Sequence, residues 1–587
     1  MTCQRLFLIC IGVGLILIAL SISPFTFHGT EIKYFLFQSL SLIALLLFIA
    51  QKVFTSPRGD AQSRRSSFIL LLALFCLNWG SIIWSEYRLA SSLRALSLSF
   101  YLLWAALVLV TVKSERDLAW LFKAYLGAGL LAALAAPIYY LGFSKTHPFA
   151  QPWSFPTGNR DFLAGLLLVP LGITFARAIL HLCIKKDCKR GLAFLGLGAF
   201  FLIIFYLTGS KAGIVSLAVV FFVVLLFVLP RRAKVTVFLC VLIIIGSSLV
   251  MYKSLPRVSE WLHSRYAYRS LVQRYYFWDW SLRMIAQRPI IGWGAGTFVA
   301  ANGPFSSIDR FYHLHQKGPF FLFADFTAHS HNEFLEVLVE LGFVGLGVYL
   351  LLLLWVGVKG AAGTKNIIVA TTRFSLYGLL AGFIGLCVQS LFSVGLRYWD
   401  LAPFFWTCVG ALLAAGSLGK GEKAPSLARL NLRGKEVRLV IFLLLACLAT
   451  FFWYGVVWKG FRAQMNLYRA DILRKKDEYA QAVPYYRKAR DDAFIYADLL
   501  RGQYDLSRVL LKLGRWPEAR KTLETVNSLA PDFIYTNLLL GQVYEHLGEK
   551  EKALIFFRRY QRQNPYDQRT PKKIQALVRE KEGADVP

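Results

Sequence analysis

The amino-acid sequence predicts an all-α fold: a polytopic membrane protein of about 12–13 transmembrane helices, with one large external loop and a C-terminal domain of helical repeats. Three observations predict it. Mean hydropathy is +0.50 and only 17% of the 587 residues are charged, whereas soluble globular domains carry roughly a quarter. Apolar runs long enough to cross a hydrocarbon core of ~30 Å recur along residues 1–458. From residue 459 onward, continuous apolarity gives way to amphipathic helical periodicity. The expected domains are a transmembrane region at 1–458, with the external loop at 253–331, a repeat domain at 459–580 and a tail at 581–587.

The apolar runs lie near 6–24, 34–53, 67–85, 93–112, 118–142, 162–183, 191–209, 212–230, 235–252, 332–358, 374–395, 399–418 and 439–458, thirteen in all. The first is read as a retained helix, because no small-residue cleavage site follows it and further spans come at once. Orientation follows from the basic residues, which favour cytoplasmic loops. Lys52, Arg58, Arg64 and Arg65 share one loop, Lys185, Lys186, Lys189 and Arg190 a second, Arg231, Arg232 and Lys234 a third, and Lys359, Lys365 and Arg373 a fourth. Gly419 to Arg438 holds six basic and two acidic residues. All five fall on one side of a thirteen-span chain, so the N-terminus is expected in the cytoplasm, with the loop and the repeats outside. The net charge of +32 is then mostly topological. It suits anionic lipid headgroups; no basic stripe with interleaved aromatics sits on a soluble module, so nucleic acid is not an expected partner.

The loop is far longer than a connection needs, and it holds nine Lys or Arg against four Asp or Glu. Its aromatics Trp261, Tyr275, Tyr276, Trp278 and Trp293 suit stacking on sugar faces or resting at the membrane interface, the second reading being preferred for any single one. Gly292, Gly294 and Gly296 follow no soluble strand, so they are read as a backbone turn rather than a nucleotide site. Eight of the nine cysteines lie in or beside spans, Cys188 being the exception, with no disulfide or zinc spacing.

The C-terminal region repeats at a spacing of 34 residues. Leu540, Gly541, Tyr544, Gly548, Ala553, Phe557 and Pro565 answer to Leu506, Ser507, Leu510, Gly514, Ala519, Leu523 and Pro531 at that offset throughout. Ala482, Tyr486 and Ala489 mark a weaker, earlier unit. The pattern resembles a tetratricopeptide repeat, and about three such units suffice to bury a shared core. A protein partner for the repeats is an expectation of that likeness.

The stretch from Ala328 to Leu350 places His329, His331 and Asn332 at the external start of a span. Ser330 and Glu333 have capping-box spacing, which predicts a helix starting at His331, with backbone N–H groups that attract phosphate. A helix start also disfavours imidazolium, leaving His331 able to accept a proton. His329 with His331, or His313 with His315 and Asp325, is weaker as a metal pair, for no third and fourth ligand has recognisable spacing; no metal and no cofactor are expected. Glu340, nine residues beyond His331, is costly to bury in a membrane unless partnered; it suits bracing the helix or serving as a second carboxylate in the site, structural support being the preferred reading.

His331 and Asn332, followed at nine residues by Gly342-Phe343-Val344-Gly345, resemble the signature of the O-antigen ligase and polymerase superfamily. The block Arg274-Tyr275-Tyr276-Phe277-Trp278, with Ser281 to Ile285 and Pro289 to Phe298 after it, is similar to that family's external-loop block. Thr157 to Ala164 and Thr208 to Gly213 are similar to the turns before the sixth span and between spans seven and eight. The likeness covers roughly residues 150–415.

It implies a GT-C-like glycosyltransferase of a bacterial inner membrane that moves a glycan from a polyprenyl diphosphate to an acceptor, lipid A core or protein, on the external face. The implied roles fall on Lys211 and Arg274 for the donor diphosphate and on His331 beside the acceptor. Arg397 and Arg160 are further donor-binding candidates, and Asn332, Glu340, Trp278 and His329 are supporting ones. The family usually has arginine where this chain has Lys211, and lysine lacks the bidentate fork. A polymerase of the same superfamily is the alternative reading. A small-anion transporter is a third; it predicts charges at mid-membrane depth, whereas here they cluster at helix ends and in the loop.

Overall fold

A computed structural model describes residues 3–23, 25, 30–54, 65–142, 153–230, 265–315, 328–418 and 435–582. Every described element is helical. The order is α1 (Cys3–Leu20), α2 (Glu31–Phe54), α3 (Arg65–Trp84), α4 (Arg88–Thr111), α5 (Glu115–Gly142), α6 (Arg160–Ile179), α7 (Cys188–Leu207) and α8 (Lys211–Val228). The loop contributes α9 (Arg265–Gln287) and α10 (Gly303–His315), separated by a single helical turn at Phe298–Ala301. Then come α11 (Glu333–Asn366), α12 (Ala370–Gln389), α13 (Ala402–Ala415) and α14 (Lys435–Phe452). The C-terminal region is α15 (Lys459–Lys475), α16 (Tyr479–Asp491), α17 (Tyr496–Lys512), α18 (Trp516–Leu529), α19 (Thr536–His546), α20 (Lys550–Gln563) and α21 (Arg569–Glu582).

Each expected span coincides with a helix except 235–252, which lies outside the described residues, as do the tail 583–587, Trp261, Asp325 and the side chains of His313 and His315. Among the described residues ten helices are long and apolar enough to cross a membrane; Arg5–Leu20 and Ala402–Ala415 are apolar but shorter. The last case corrects the expected run 399–418. Pro403 sits in the first turn of α13 and fixes its start, while α12 already ends at Gln389. Residues 390–401 therefore form turns and a short 3₁₀ segment, Gly395–Arg397.

The chain separates into two compact units. The first comprises residues 1–76, 96–244 and 347–461 and holds most of the spans. Helices α6 and α12 meet closely at small residues: a Cβ on Gly172 would stand 2.5 Å from the Gly378 carbonyl oxygen, the kind of backbone approach that packs helices where lipid offers no hydrophobic drive. Buried polar groups are paired across the helices. Trp104 donates to Thr407 Oγ1 at 2.8 Å, and Lys33 Nζ lies 3.2 Å from Asp400, both fully enclosed.

The second unit comprises residues 77–95, 245–346 and 462–587. Here α15 to α20 form three helix pairs and α21 caps the last. Ala482, Ala519 and Ala553, each 0% exposed, hold the equivalent position in the second helix of each pair, where a larger side chain would push the partner helix away. One apolar cluster joins this array to the rest of the unit: Tyr496, Leu500, Tyr504, Val526, Ala530 and Phe533 of the repeats pack with Ala90, Val299 and Ala300.

Candidate active site

The site residues expected from the sequence divide between the units. Arg160, Lys211 and Arg397 belong to the first; Arg274, Trp278, His329, His331, Asn332 and Glu340 to the second.

In the first unit, two helices begin side by side, each with a cation as its first residue. Asn159 caps α6 by accepting from the Asp161 amide at 2.8 Å, and Ser210 caps α8 by accepting from the Gly213 amide at 3.0 Å. The Ser210 hydroxyl in turn donates to Asp161 Oδ1 at 2.6 Å, which ties the two starts together. Arg160 and Lys211 are both exposed there. Gln389, the last residue of α12, donates to the Asp161 carbonyl at 2.6 Å, and Phe162 meets the Tyr398 ring at 5.2 Å. The turn carrying Arg397, 6% exposed, is thereby held against the same end of α6. Paired helix starts with exposed cations form a natural anion-attracting surface.

In the second unit, the segment before α11 departs from the expected capping box. The helix starts at Glu333, not His331. Asn332 is the cap, its Oδ1 accepting from the Leu335 amide at 3.1 Å. The carboxylate that reaches back belongs to Glu336: it accepts from the Ser330 amide at 2.8 Å and the Ser330 hydroxyl at 3.1 Å, and pairs with His329 Nδ1 at 2.7 Å. One longer turn is spanned because His331 takes a left-handed backbone, φ 56°, a conformation uncommon for a residue with a side chain. His331 thus stands outside the helix, exposed, with its ring stacked on Phe277 at 5.4 Å and 18°. Arg274 and Trp278, half-buried, lie one turn apart on α9. Glu336, 1% exposed, is the residue the sequence reading missed; its signal was a second carboxylate three residues after Glu333 inside an apolar run.

Helix α11 is also broken. Gly342 has φ 64° and ψ −167°, and the gap is filled by the glycine turn. The Val339 and Glu340 carbonyls accept from the Trp293 and Gly294 amides at 3.0 and 2.8 Å, and the Phe343 and Val344 amides donate to the Pro289 and Ile290 carbonyls at 2.8 and 3.2 Å. Backbone groups orphaned by the break are satisfied by a loop fifty residues upstream. Gly292, Gly294 and Gly296 all have positive φ, as a backbone turn requires. Trp293 is not an open ring face: it is 9% exposed, donates to the Met284 carbonyl at 3.0 Å and lies under the Arg288 guanidinium at 4.3 Å. Among the described residues no group of three or more His, Cys, Asp or Glu is arranged to hold a metal ion.

With this geometry in place, comparison with protein families gives two matches. Residues 196–350 match the family described as O-Antigen ligase, a stretch that includes Lys211, Arg274 and the His331 segment. Residues 504–568 match the tetratricopeptide repeat. Comparison with curated proteins gives no match. The chain is a multi-pass membrane protein in which a stretch similar to the O-antigen ligase family is followed by one similar to the tetratricopeptide repeat.

Proposed function

We propose that the protein is a glycosyltransferase of the bacterial inner membrane, transferring a glycan from a polyprenyl diphosphate to a lipid or protein acceptor on the external face. The observation that carries this reading is the O-antigen ligase match over 196–350, which takes in both the cationic start of α8 and the exposed histidine. In the proposed reaction the acceptor hydroxyl oxygen attacks the anomeric carbon, the bond from that carbon to the diphosphate oxygen breaks, and the acceptor proton passes to His331. Lys211 and Arg274, aided by Arg160 and Arg397, spread the charge that develops on the departing diphosphate. Glu336 orients His329 and Ser330, and so the backbone that presents His331.

A shared side for repeats and loop is supported by the apolar cluster they form within one unit, since a bilayer cannot lie between groups in contact; that this side is external rests on the basic residues of the opposite loops. The proposed domain division is the membrane region to 458 and the repeat domain from 459 to 580. Purified full-length protein, given a polyprenyl-diphosphate glycan and candidate acceptors, tests the reading. Release of polyprenyl diphosphate with formation of a glycosylated acceptor supports it; donor left intact with every acceptor, lipid-linked repeat units included, contradicts it.

A further inference from the structure

Three consecutive residues of α10 tie it to its surroundings. Asp309 accepts from Trp280 Nε1 of α9 at 2.8 Å. Arg310, buried, donates to Asn302 Oδ1 at 2.8 Å and to the Ser306 hydroxyl, and its guanidinium stands 5.8 Å from the Trp280 ring. Phe311, 6% exposed, meets Tyr535 at 5.5 Å and Tyr560 at 5.6 Å in the repeats. At the start of the same helix Gly303 lies against the Pro531 carbonyl. Burial lowers the Arg310 guanidinium to about 10, partly offset by the negative charge of Asp532.

The chain of contacts continues on the far side. Trp280, fully buried, packs on Phe277 at 5.5 Å, and Phe277 stacks on His331 at 5.4 Å. Two rigid helices, joined through well-packed rings and one hydrogen bond, run without interruption from the repeats to the histidine. Close-packed interiors transmit displacement rather than absorb it.

We propose that α10 is a strut through which the repeat array sets the position of His331, making Phe311 and Asp309 positioning residues. Tetratricopeptide helices are then a working part of the transfer site, and whatever shifts α19 or α20 changes the rate. The proposal rests on His331 acting in transfer, and its test separates the two claims. Phe277 is replaced by 4-fluorophenylalanine in the full-length protein, and its ¹⁹F resonance reports the environment of the His331 ring whether or not that ring is catalytic.

Phe311→Ala is expected to shift this resonance by more than its linewidth and to lower transfer about tenfold, less than the ~10²-fold that a full 1 Å misplacement exacts. Phe311→Leu, which keeps most of the volume, should restore both. A resonance unmoved in folded Phe311→Ala overturns the strut. Should that variant not accumulate, Tyr560→Leu trims the same contact from the repeat side and is judged by the same outcomes. A shifted resonance, together with normal transfer by His331→Ala, leaves the strut standing and refutes the catalytic reading instead.

Discussion

The Glu340 carbonyl accepts the Gly294 amide at 2.8 Å, and this contact, with its three neighbours, splices the glycine turn into the break of α11. The signature glycine at 342 is thereby explained by backbone geometry. Its φ of 64° with ψ of −167° is a region that glycine alone occupies readily, and a Cβ would collide with the Ile290 carbonyl.

Gly342→Ala should therefore destabilise the protein by ~1–3 kcal/mol from strain, with the collision adding to it, and should depress transfer. Gly347→Ala, where a Cβ meets nothing within 4 Å, serves as the control and should be silent. Thermal unfolding in detergent compares the two.

At the start of α8, Lys211→Ala and, on α9, Arg274→Ala should cripple transfer while leaving membrane insertion intact. Lys211→Arg should be tolerated or improve the rate, because it restores a forked donor; Arg274→Lys should be worse than Lys211→Arg. Steady-state assays on purified variants measure this, and full activity in both alanine variants would remove the diphosphate role.

Lys33 and Asp400 form an enclosed ion pair 3.2 Å apart, next in sequence to the turn that carries Arg397. Lys33→Met leaves Asp400 buried without its partner and should destabilise the protein by ~3–5 kcal/mol. The double variant Lys33→Met, Asp400→Leu should regain much of that loss, since replacing both charges by apolar groups is often neutral. Equal instability of single and double variants would show that the pair is not energetically coupled.

An impermeant thiol reagent applied to intact cells checks orientation. Lys521→Cys, exposed on α18, placed in a cysteine-free background, should react once the outer membrane is permeable. Reaction only after the inner membrane is lysed would put the repeats in the cytoplasm and overturn the odd number of spans.

The spans and repeats were legible in the sequence because each depends on local pattern: hydropathy over about twenty residues, or small residues returning every 34. The break in α11 was not, for the apolar run across Gly342 is continuous and the opening exists only because Pro289 to Gly294 satisfies it from a distant part of the chain. Ser330 pointed to a cap two residues too early, since the left-handed turn at His331 hands the carboxylate role from Glu333 to Glu336. Trp293 read as a surface ring and is part of a buried cluster with Met284, Phe298 and Val339, a contact among residues far apart in sequence.

The central claim is that His331 takes the acceptor proton. The most direct test is the transfer rate of purified His331→Ala with a polyprenyl-diphosphate glycan in the presence of chelator. The account predicts a loss of roughly 10²-fold or more, the usual contribution of a positioned general base, with a smaller loss for His329→Ala and none from the chelator alone. Near-normal transfer by His331→Ala would contradict it.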